Sequence, residues 1–228
     1  MMKLTSEEIQ RKLLHVFFGL FIPSGMLYIP WYIRRSEGRW PVPPWAWPVI
    51  ILAAFAMVFY AVEVVRFRSP WVQHIFNRLF GSMLRREESV RMTGATYIVL
   101  SALICSIIFR HRPDISFMAI STFIWGDAAA ALAGISIGRI RIGKKSLEGS
   151  AACFAVCMVM YIALFPVMPF VCDAWGGSIP LALALAGSLC VTILELLSPR
   201  INARLTINDN LFVPVVTGIM ILWADRIL

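Results

Sequence analysis

Seven runs of apolar residues divide the chain, at about 13–33, 47–64, 94–110, 115–138, 149–171, 178–198 and 210–227, and within each the apolar positions are continuous rather than alternating. A hydrocarbon core about 30 Å thick takes roughly 20 residues of helix to cross, and only helices or closed barrels satisfy every backbone N–H and C=O inside it. Barrel strands alternate with period two, and these runs do not, so the pattern predicts an all-α polytopic membrane bundle of about seven transmembrane helices. The interval 65–93 differs: Trp71, Ile75, Leu79 and Met83 recur every four residues beside Phe76 and Phe80, with Arg78, Arg85 and Arg86 nearby. That spacing predicts an amphipathic helix over about 70–86, lying along the membrane surface as an anchor rather than as a lid. The gaps between runs leave no room for a soluble domain, so residues 1–228 read as one integral-membrane domain. Thr5 and Glu8 have capping-box spacing, which makes MMKLTSEEIQRK a helix start rather than a cleaved signal.

Composition sharpens this picture. The chain is 59% hydrophobic and 15% charged, with a mean hydropathy of +0.77, whereas soluble domains carry roughly a quarter charged residues. Lys and Arg divide unevenly between the two faces. Fifteen fall with Lys3, Arg11, Lys12, the arginines from Arg66 to Arg91, the 139–145 segment, Arg200 and Arg204, and six fall with Arg34, Arg35, Arg39, Arg110, Arg112 and Arg226. The positive-inside rule then predicts a cytoplasmic N-terminus and an external C-terminus. The net charge of +8 is accounted for by that asymmetry. Nucleic-acid binding would want a solvated basic domain, and none is present. The outer loop RRSEGRWPVPPWAWP has the Trp and Pro content of a headgroup-level aromatic belt. The five cysteines sit in or beside apolar runs without metal or disulfide spacing and read as small packing residues.

The remaining polar residues collect toward the cytoplasmic side. Glu63 ends the second run, Glu148 opens the fifth, Glu195 lies late in the sixth and Asp209 precedes the seventh. Asp127 is deeper, twelve residues before Arg139, or about 18 Å along a helix rising about 1.5 Å per residue. A charge near a helix centre costs about 2.5–3.5 kcal/mol even on lenient insertion scales, so such side chains face a bundle interior and a partner. A polar cavity or a structural Asp–Arg pair would each satisfy that requirement.

Two glycine patterns flank Asp127. Gly126, Ala130, Gly134 and Gly138 recur every four residues, a seam suited to close helix packing or to a ligand reaching backbone beside the carboxylate. Next, GRIRIGKKS nearly spells the phosphate loop G-x-x-x-x-G-K-[ST], but Lys145 stands where Ser or Thr should be and the segment follows a membrane helix rather than a strand. The soluble P-loop fold is therefore excluded. The local physics can still suit phosphate: Ser146 is placed to cap the next helix, leaving N–H groups beside Lys144 and Lys145, although positive-inside anchoring explains the same lysines. In INDNLFVP, Asn208, Asp209 and Asn210 are good helix caps. Pro214 cannot donate to the Asn210 carbonyl, which leaves that oxygen near the Asp209 carboxylate, a pairing that suits Mg²⁺. Finally, RKLLHVFFG sets Arg11, His15 and Gly19 on one helical face with Lys12 beside them, a second anion-facing patch.

In this order, RKLLHVFFG, Glu63 with Arg66, LRREESVRMTGATY, GDAAAALAG, GKKSLEGSAA and INDNLFVP resemble the CTP-dependent lipid kinases, the family of dolichol and polyprenol kinases, phytol kinases and CTP-using diacylglycerol kinases. Each piece alone is short; the ordered set covers nearly the whole chain. The resemblance implies transfer of the γ-phosphate of CTP, with Mg²⁺, to the hydroxyl of a membrane lipid alcohol. Matched onto this sequence, the implied positions are Arg11, Lys12, His15, Glu63, Arg66, Glu88, Thr93, Gly94, Gly126, Asp127, Lys144, Lys145, Ser146, Glu148, Gly149, Asp209 and Asn210. Beside the long dolichol kinases the expectation is a compact core without extra helices ahead of it, which leaves the length of the preferred lipid open.

Phosphoryl transfer asks mainly for positioning and charge neutralisation. The expectation is therefore that Asp127 and Asp209 hold Mg²⁺, with Glu63 as a further metal residue, or that one aspartate accepts the hydroxyl proton. Lys144, Lys145 and Arg11 would hold nucleotide phosphates, with Lys12, His15, Arg66, Thr93, Gly94, Ser146, Gly149 and Asn210 completing the nucleotide site. Glu148 would orient a lysine or a second metal. A phosphatidate cytidylyltransferase combines CTP, Mg²⁺ and intramembrane carboxylates as well, and a small ion-coupled transporter would also bury carboxylates. A short chain of this kind suits a prokaryotic inner membrane, and the sequence leaves open whether it works alone or as a homo-oligomer.

Overall fold

The computed structural model describes residues 6–36, 38–81, 84, 88, 91–143, 145–197 and 208–228, with side chains in the first helix described from Val16 onward except Phe18. These residues form eight α-helices and one small hairpin: α1 (Ser6–Arg35), α2 (Ala46–Arg68), α3 (Pro70–Phe80), α4 (Gly94–Ile108), α5 (Pro113–Ser136), β1 (Arg141–Ile142), β2 (Lys145–Ser146), α6 (Leu147–Val159), α7 (Leu181–Leu197) and α8 (Asp209–Ile227). Each of the seven apolar runs contains one helix. Among the described residues four are long and apolar enough to cross a membrane: α2, α5, α6 with its continuation to Val167, and α8; α4 and α7 are shorter apolar helices. The chain is an all-α membrane bundle.

Helix ends follow local chemistry. Pro113 opens α5 at a position where a missing N–H costs nothing, and Asp114 lies in its first turn. Ser69 accepts from the Val72 N–H to start α3, again with Pro at the first position. α3 is shorter than the sequence pattern suggests, running over 70–80 and ending before Gly81; the 82–83 and 85–87 stretch lies outside the described residues. The fifth apolar run also stops early. After Val159 the backbone widens into a π turn over Met160–Leu164 and tightens into a 3₁₀ turn at Phe165–Val167, where Pro166 cannot continue the ladder.

α5 is the axis of the bundle, packing against α1, α4, α6, α7 and α8. In its most apolar window 78% of residues are buried, against 22% for α2, so α5 is enclosed by protein while most of α2 faces lipid. Inside α5 the Thr122 hydroxyl donates to the Met118 carbonyl at 2.7 Å, satisfying a polar group that has no water to turn to. The five cysteines are all buried and unpaired as disulfides, consistent with packing roles.

Hydrogen bonds tie the helix ends together at two poles. At one pole Arg112, before α5, bonds Asp114 at 2.8 Å and also Asp225 near the end of α8. Asp225 accepts in turn from the Trp175 indole at 2.6 Å. There, too, Trp31 of α1 stacks on Phe170 with ring centroids 4.1 Å apart, and Arg35 lies over Trp31. The other pole gathers the C-terminal ends of α2, α5 and α7 with the N-terminal ends of α4, α6 and α8, and it holds the polar residues singled out above.

Candidate functional site at the polar pole

The near-miss phosphate loop is a β-hairpin. Arg141 pairs with Ser146 and Ile142 with Lys145 in antiparallel register, and Gly143 makes the turn at φ +62°, a conformation that strains any residue with a Cβ. Ser146 then caps α6, its hydroxyl accepting from the Gly149 N–H at 3.1 Å, as its sequence position suggests. Glu148 contacts the hairpin. Its carboxylate accepts from the Ile140 N–H at 3.1 and 3.3 Å, closing the base of the hairpin, while the Leu147 N–H donates to the Ile140 carbonyl at 3.0 Å. The backbone N–H groups of Glu148 itself, Arg139 and Ile140 surround this carboxylate, with the Arg139 charge beside them.

Lys145 is the hub of the site. Projecting from β2, its ammonium bonds Glu195 in the last turns of α7, with 31% of the lysine side chain exposed and 4% of the glutamate. Burial opposes the lysine charge, but Glu195, and then Asp127 of α5 and Asp209 of α8, outweigh it and hold Lys145 above its ordinary value. The same two aspartates act on Glu195. Four ionisable groups, from one hairpin and three helices, thus share one electrostatic neighbourhood. Asp127 is 9% exposed and Glu195 3%, whereas Asp209 is half-buried at the start of its helix. Such clustering of buried charge away from water is a mark of functional sites.

A second network lies at the same pole and ties together the end of α2 and the starts of α4 and α8. Glu63 and Arg66, both near the end of α2, form a buried ion pair at 2.5 Å. The other Glu63 oxygen accepts from the Thr93 N–H at 2.8 Å and the Thr96 hydroxyl at 3.2 Å. Arg66 also donates to the Arg91 carbonyl at 2.8 Å and lies between the rings of Phe67 and Phe76, 4.5 and 4.6 Å from their centres. The Gly94 N–H donates to Glu88 at 2.8 Å, and the Asn210 amide donates to the Gly94 carbonyl at 3.1 Å. A Cβ on Gly94 would stand 2.5 Å from the Asn210 amide nitrogen, so a side chain here would displace that amide. Glu63 therefore ties the start of α4 to the end of α2, and Asn210 separately ties it to α8. Both Glu63 oxygens accept hydrogen bonds within this network.

Asn208 caps α8, accepting from the Asn210 N–H at 3.0 Å, and Pro214 lies inside that helix. The Asn210 carbonyl consequently lacks its usual helical donor, beside Asp209. The glycine seam serves packing. A Cβ on Gly126 would lie 2.9 Å from the Cys153 sulfur and 3.1 Å from that of Cys157, while Gly134 and Gly138 close on Ser146, and Gly149 on the Ala130 carbonyl at 2.6 Å. The seam thus seats α6 and its hairpin on α5, and in doing so sets the height of Lys145. Arg11, Lys12 and His15 lie in α1, one to two turns before Gly19, but their side chains, like all of Lys144, fall outside the described residues. Gly19 itself packs on Ile124 of α5. Glu195, named above only as one carboxylate among several, proves to be the direct partner of Lys145, and its depth in an apolar run was the signal.

With the geometry in view, the relatives of this chain carry weight. No family model matches the sequence, and no solved structure matches it. Over 113 residues it is 28% identical to CTP-dependent diacylglycerol kinase 1 of Schizosaccharomyces pombe, a match covering 47% of this chain and 51% of that protein. The chain thus spans about half the length of that kinase. It is also 23% identical over 211 residues to the uncharacterized protein RP860 of Rickettsia prowazekii, covering 91% of this chain and 90% of the relative. The chain is accordingly an integral-membrane helix bundle with a distant CTP-dependent lipid kinase among its relatives.

Proposed function

We propose that this protein transfers the γ-phosphate of CTP to the hydroxyl of a membrane lipid alcohol, of the polyprenol, phytol or diacylglycerol type. The observation that carries the reading is the convergence of Lys145, Glu195, Asp127 and Asp209 at one pole of an apolar bundle. A soluble nucleotide and a lipid hydroxyl can meet only at such a boundary, and the likeness to a CTP-dependent diacylglycerol kinase supports both substrates. The pole would face the cytoplasm, seven helices would span the membrane, α3 would lie on its surface, and the membrane would be a prokaryotic inner membrane.

The donor set fits Mg²⁺. Asp127, Asp209 and the Asn210 carbonyl offer hard oxygens, and among the described residues no group of three acidic, cysteine or histidine side chains forms a full metal cage. Mg²⁺ characteristically binds through one or two carboxylates and completes its shell with water and substrate phosphate. Bound there it would neutralise phosphate charge. The Lys145 ammonium would hold nucleotide phosphates at the mouth, with Lys144, Arg11, Lys12 and His15 as further cations. Ser146 and Gly149 set the hairpin's height, while Arg66, Thr93, Gly94 and Asn210 shape the opposite wall.

In the reaction the lipid hydroxyl oxygen bonds the γ-phosphorus as the bond from that phosphorus to its bridging oxygen breaks, and CDP leaves. Of the two aspartates Asp127, the more buried, would accept the hydroxyl proton, leaving Asp209 and the Asn210 carbonyl to hold the Mg²⁺. The carboxylate is buried because the acceptor alcohol is. Transfer asks the protein for position and electrostatic stabilisation, which this inventory supplies.

Position-specific label tests the reading. With the purified chain in liposomes holding diacylglycerol or a prenol, label from the γ-phosphate of CTP should pass into the lipid extract, and label from the α-phosphate should not. The opposite result would make the protein a cytidylyltransferase, and no lipid label from either position would remove nucleotide transfer altogether.

A further inference from the structure

The Lys145–Glu195 pair is unusual in its asymmetry. The glutamate is 3% exposed as a residue and arises from a helix fifty residues away in sequence from the lysine it bonds, whereas the lysine emerges from a two-residue strand with no helix of its own. A four-carbon stem on a hairpin has many rotamers, and a phosphate ligand of this kind works well only when its ammonium is already aimed. Asp127 and Asp209 pull on the same ammonium from two other helices, so without a fixed contact the lysine could collapse onto either carboxylate. We infer that Glu195 is a positioning residue for nucleotide binding: it holds one face of the Lys145 ammonium so that the remaining N–H donors point to the space between Asp127 and Asp209. This inference rests on the proposed kinase reading and extends it to a residue beyond the sequence-derived site.

An ammonium carries three donors. One is committed to Glu195, which leaves two for phosphate oxygens. The carboxylate therefore tightens ground-state binding of the nucleotide, and it does so through Lys145 rather than by touching the reacting atoms. Uniform binding of that kind appears in KM and spares kcat.

The test is a set of variants assayed with CTP and a lipid alcohol. E195Q keeps the shape and removes the charge; it should raise the KM for CTP about tenfold, with kcat within about twofold and the lipid KM unmoved. E195D keeps the charge and should stay within about threefold of the parent KM. In a K145M background, E195Q should add nothing further, because residues acting as one unit are not additive. A loss confined to kcat, or additive effects of the two changes, overturns the inference. If E195Q does not stay monodisperse in detergent, E195D decides, since a larger loss in that variant has the same meaning. Equilibrium binding of α-labelled CTP separates this inference from the kinase reading. A chain that binds CTP and transfers no γ-phosphate refutes the kinase while Glu195 still stands or falls on whether E195Q weakens binding. A chain that binds no CTP refutes both.

Discussion

Replacing Glu63 with alanine tests whether the junction of α2 and α4 is held by charge. In the native chain the Arg66 side chain is 1% exposed and that of Glu63 3%, so neither can turn to water. After Glu63→Ala the guanidinium keeps the Arg91 carbonyl and the faces of Phe67 and Phe76, while its Nε and Nη1 already lack hydrogen-bond partners among the described residues. Stranding a buried charge in this way costs about 3–5 kcal/mol. For a chain of this length, about 2–4 °C of Tm accompanies each kcal/mol, so Tm should fall by about 6–20 °C. Thermal unfolding of the detergent-solubilised protein, followed by circular dichroism, reads this directly. The paired change Glu63→Leu with Arg66→Met removes both charges and should recover most of the loss. It should still lower turnover, because the Thr93 N–H and the start of α4, which Asn210 of α8 also contacts, lose their anchor on α2. A Glu63→Ala protein melting within about 2 °C of the parent would refute this reasoning, as would a double variant less stable than the single one.

Other consequences are quicker to check. Asp127→Asn should leave a folded, membrane-inserted protein with no measurable lipid phosphorylation; near-normal activity in a purified variant would remove Asp127 from the chemistry. Gly149→Ala puts a Cβ 2.6 Å from the Ala130 carbonyl, and overpacking of that kind costs about 1–3 kcal/mol; a melting scan should show the loss, and an unchanged Tm would mean that α5 and α6 are not so closely seated. Burial, and then the charges of Asp173 and Asp114, push the Cys172 thiol up to about 11 from 9.0. The folded state thus favours the neutral thiol. That contribution is complete below the unfolded value and is lost as pH rises through about 11; Cys172→Ala should flatten the fall in Tm over this window, and an unaltered profile would contradict the assignment.

Much of the fold was legible because lipid imposes one strong rule. Uninterrupted apolar runs must be helices, and each of the seven holds one, while the four-residue spacing of Trp71, Ile75 and Leu79 marked α3. Ser146 and Asn208 were legible as caps for the same local reason. What was not legible depends on partners remote in sequence. Glu63 carries the same carboxylate as a metal ligand, and only the Thr93 N–H thirty residues away reveals a brace. Glu148 reaches back to Ile140 only once residues 141–146 fold into a hairpin. The glycine seam suited a ligand or a helix equally, and the volume of Cys153, Cys157 and Ser146 decides for the helix.

The central claim is that a hairpin lysine and carboxylates from three helices meet where nucleotide phosphate binds. Coupling by a lipid-permeant carbodiimide joins a lysine to a carboxylate only when the two already touch, and tandem mass spectrometry of the digest identifies the joined residues. A covalent link between Lys145 and Glu195 is expected in native membranes; CTP with Mg²⁺ should slow it by covering the pair from the reagent while leaving the two in contact, and cytidine should not. A Lys145 coupled to some other carboxylate, or a link indifferent to CTP, would contradict the account.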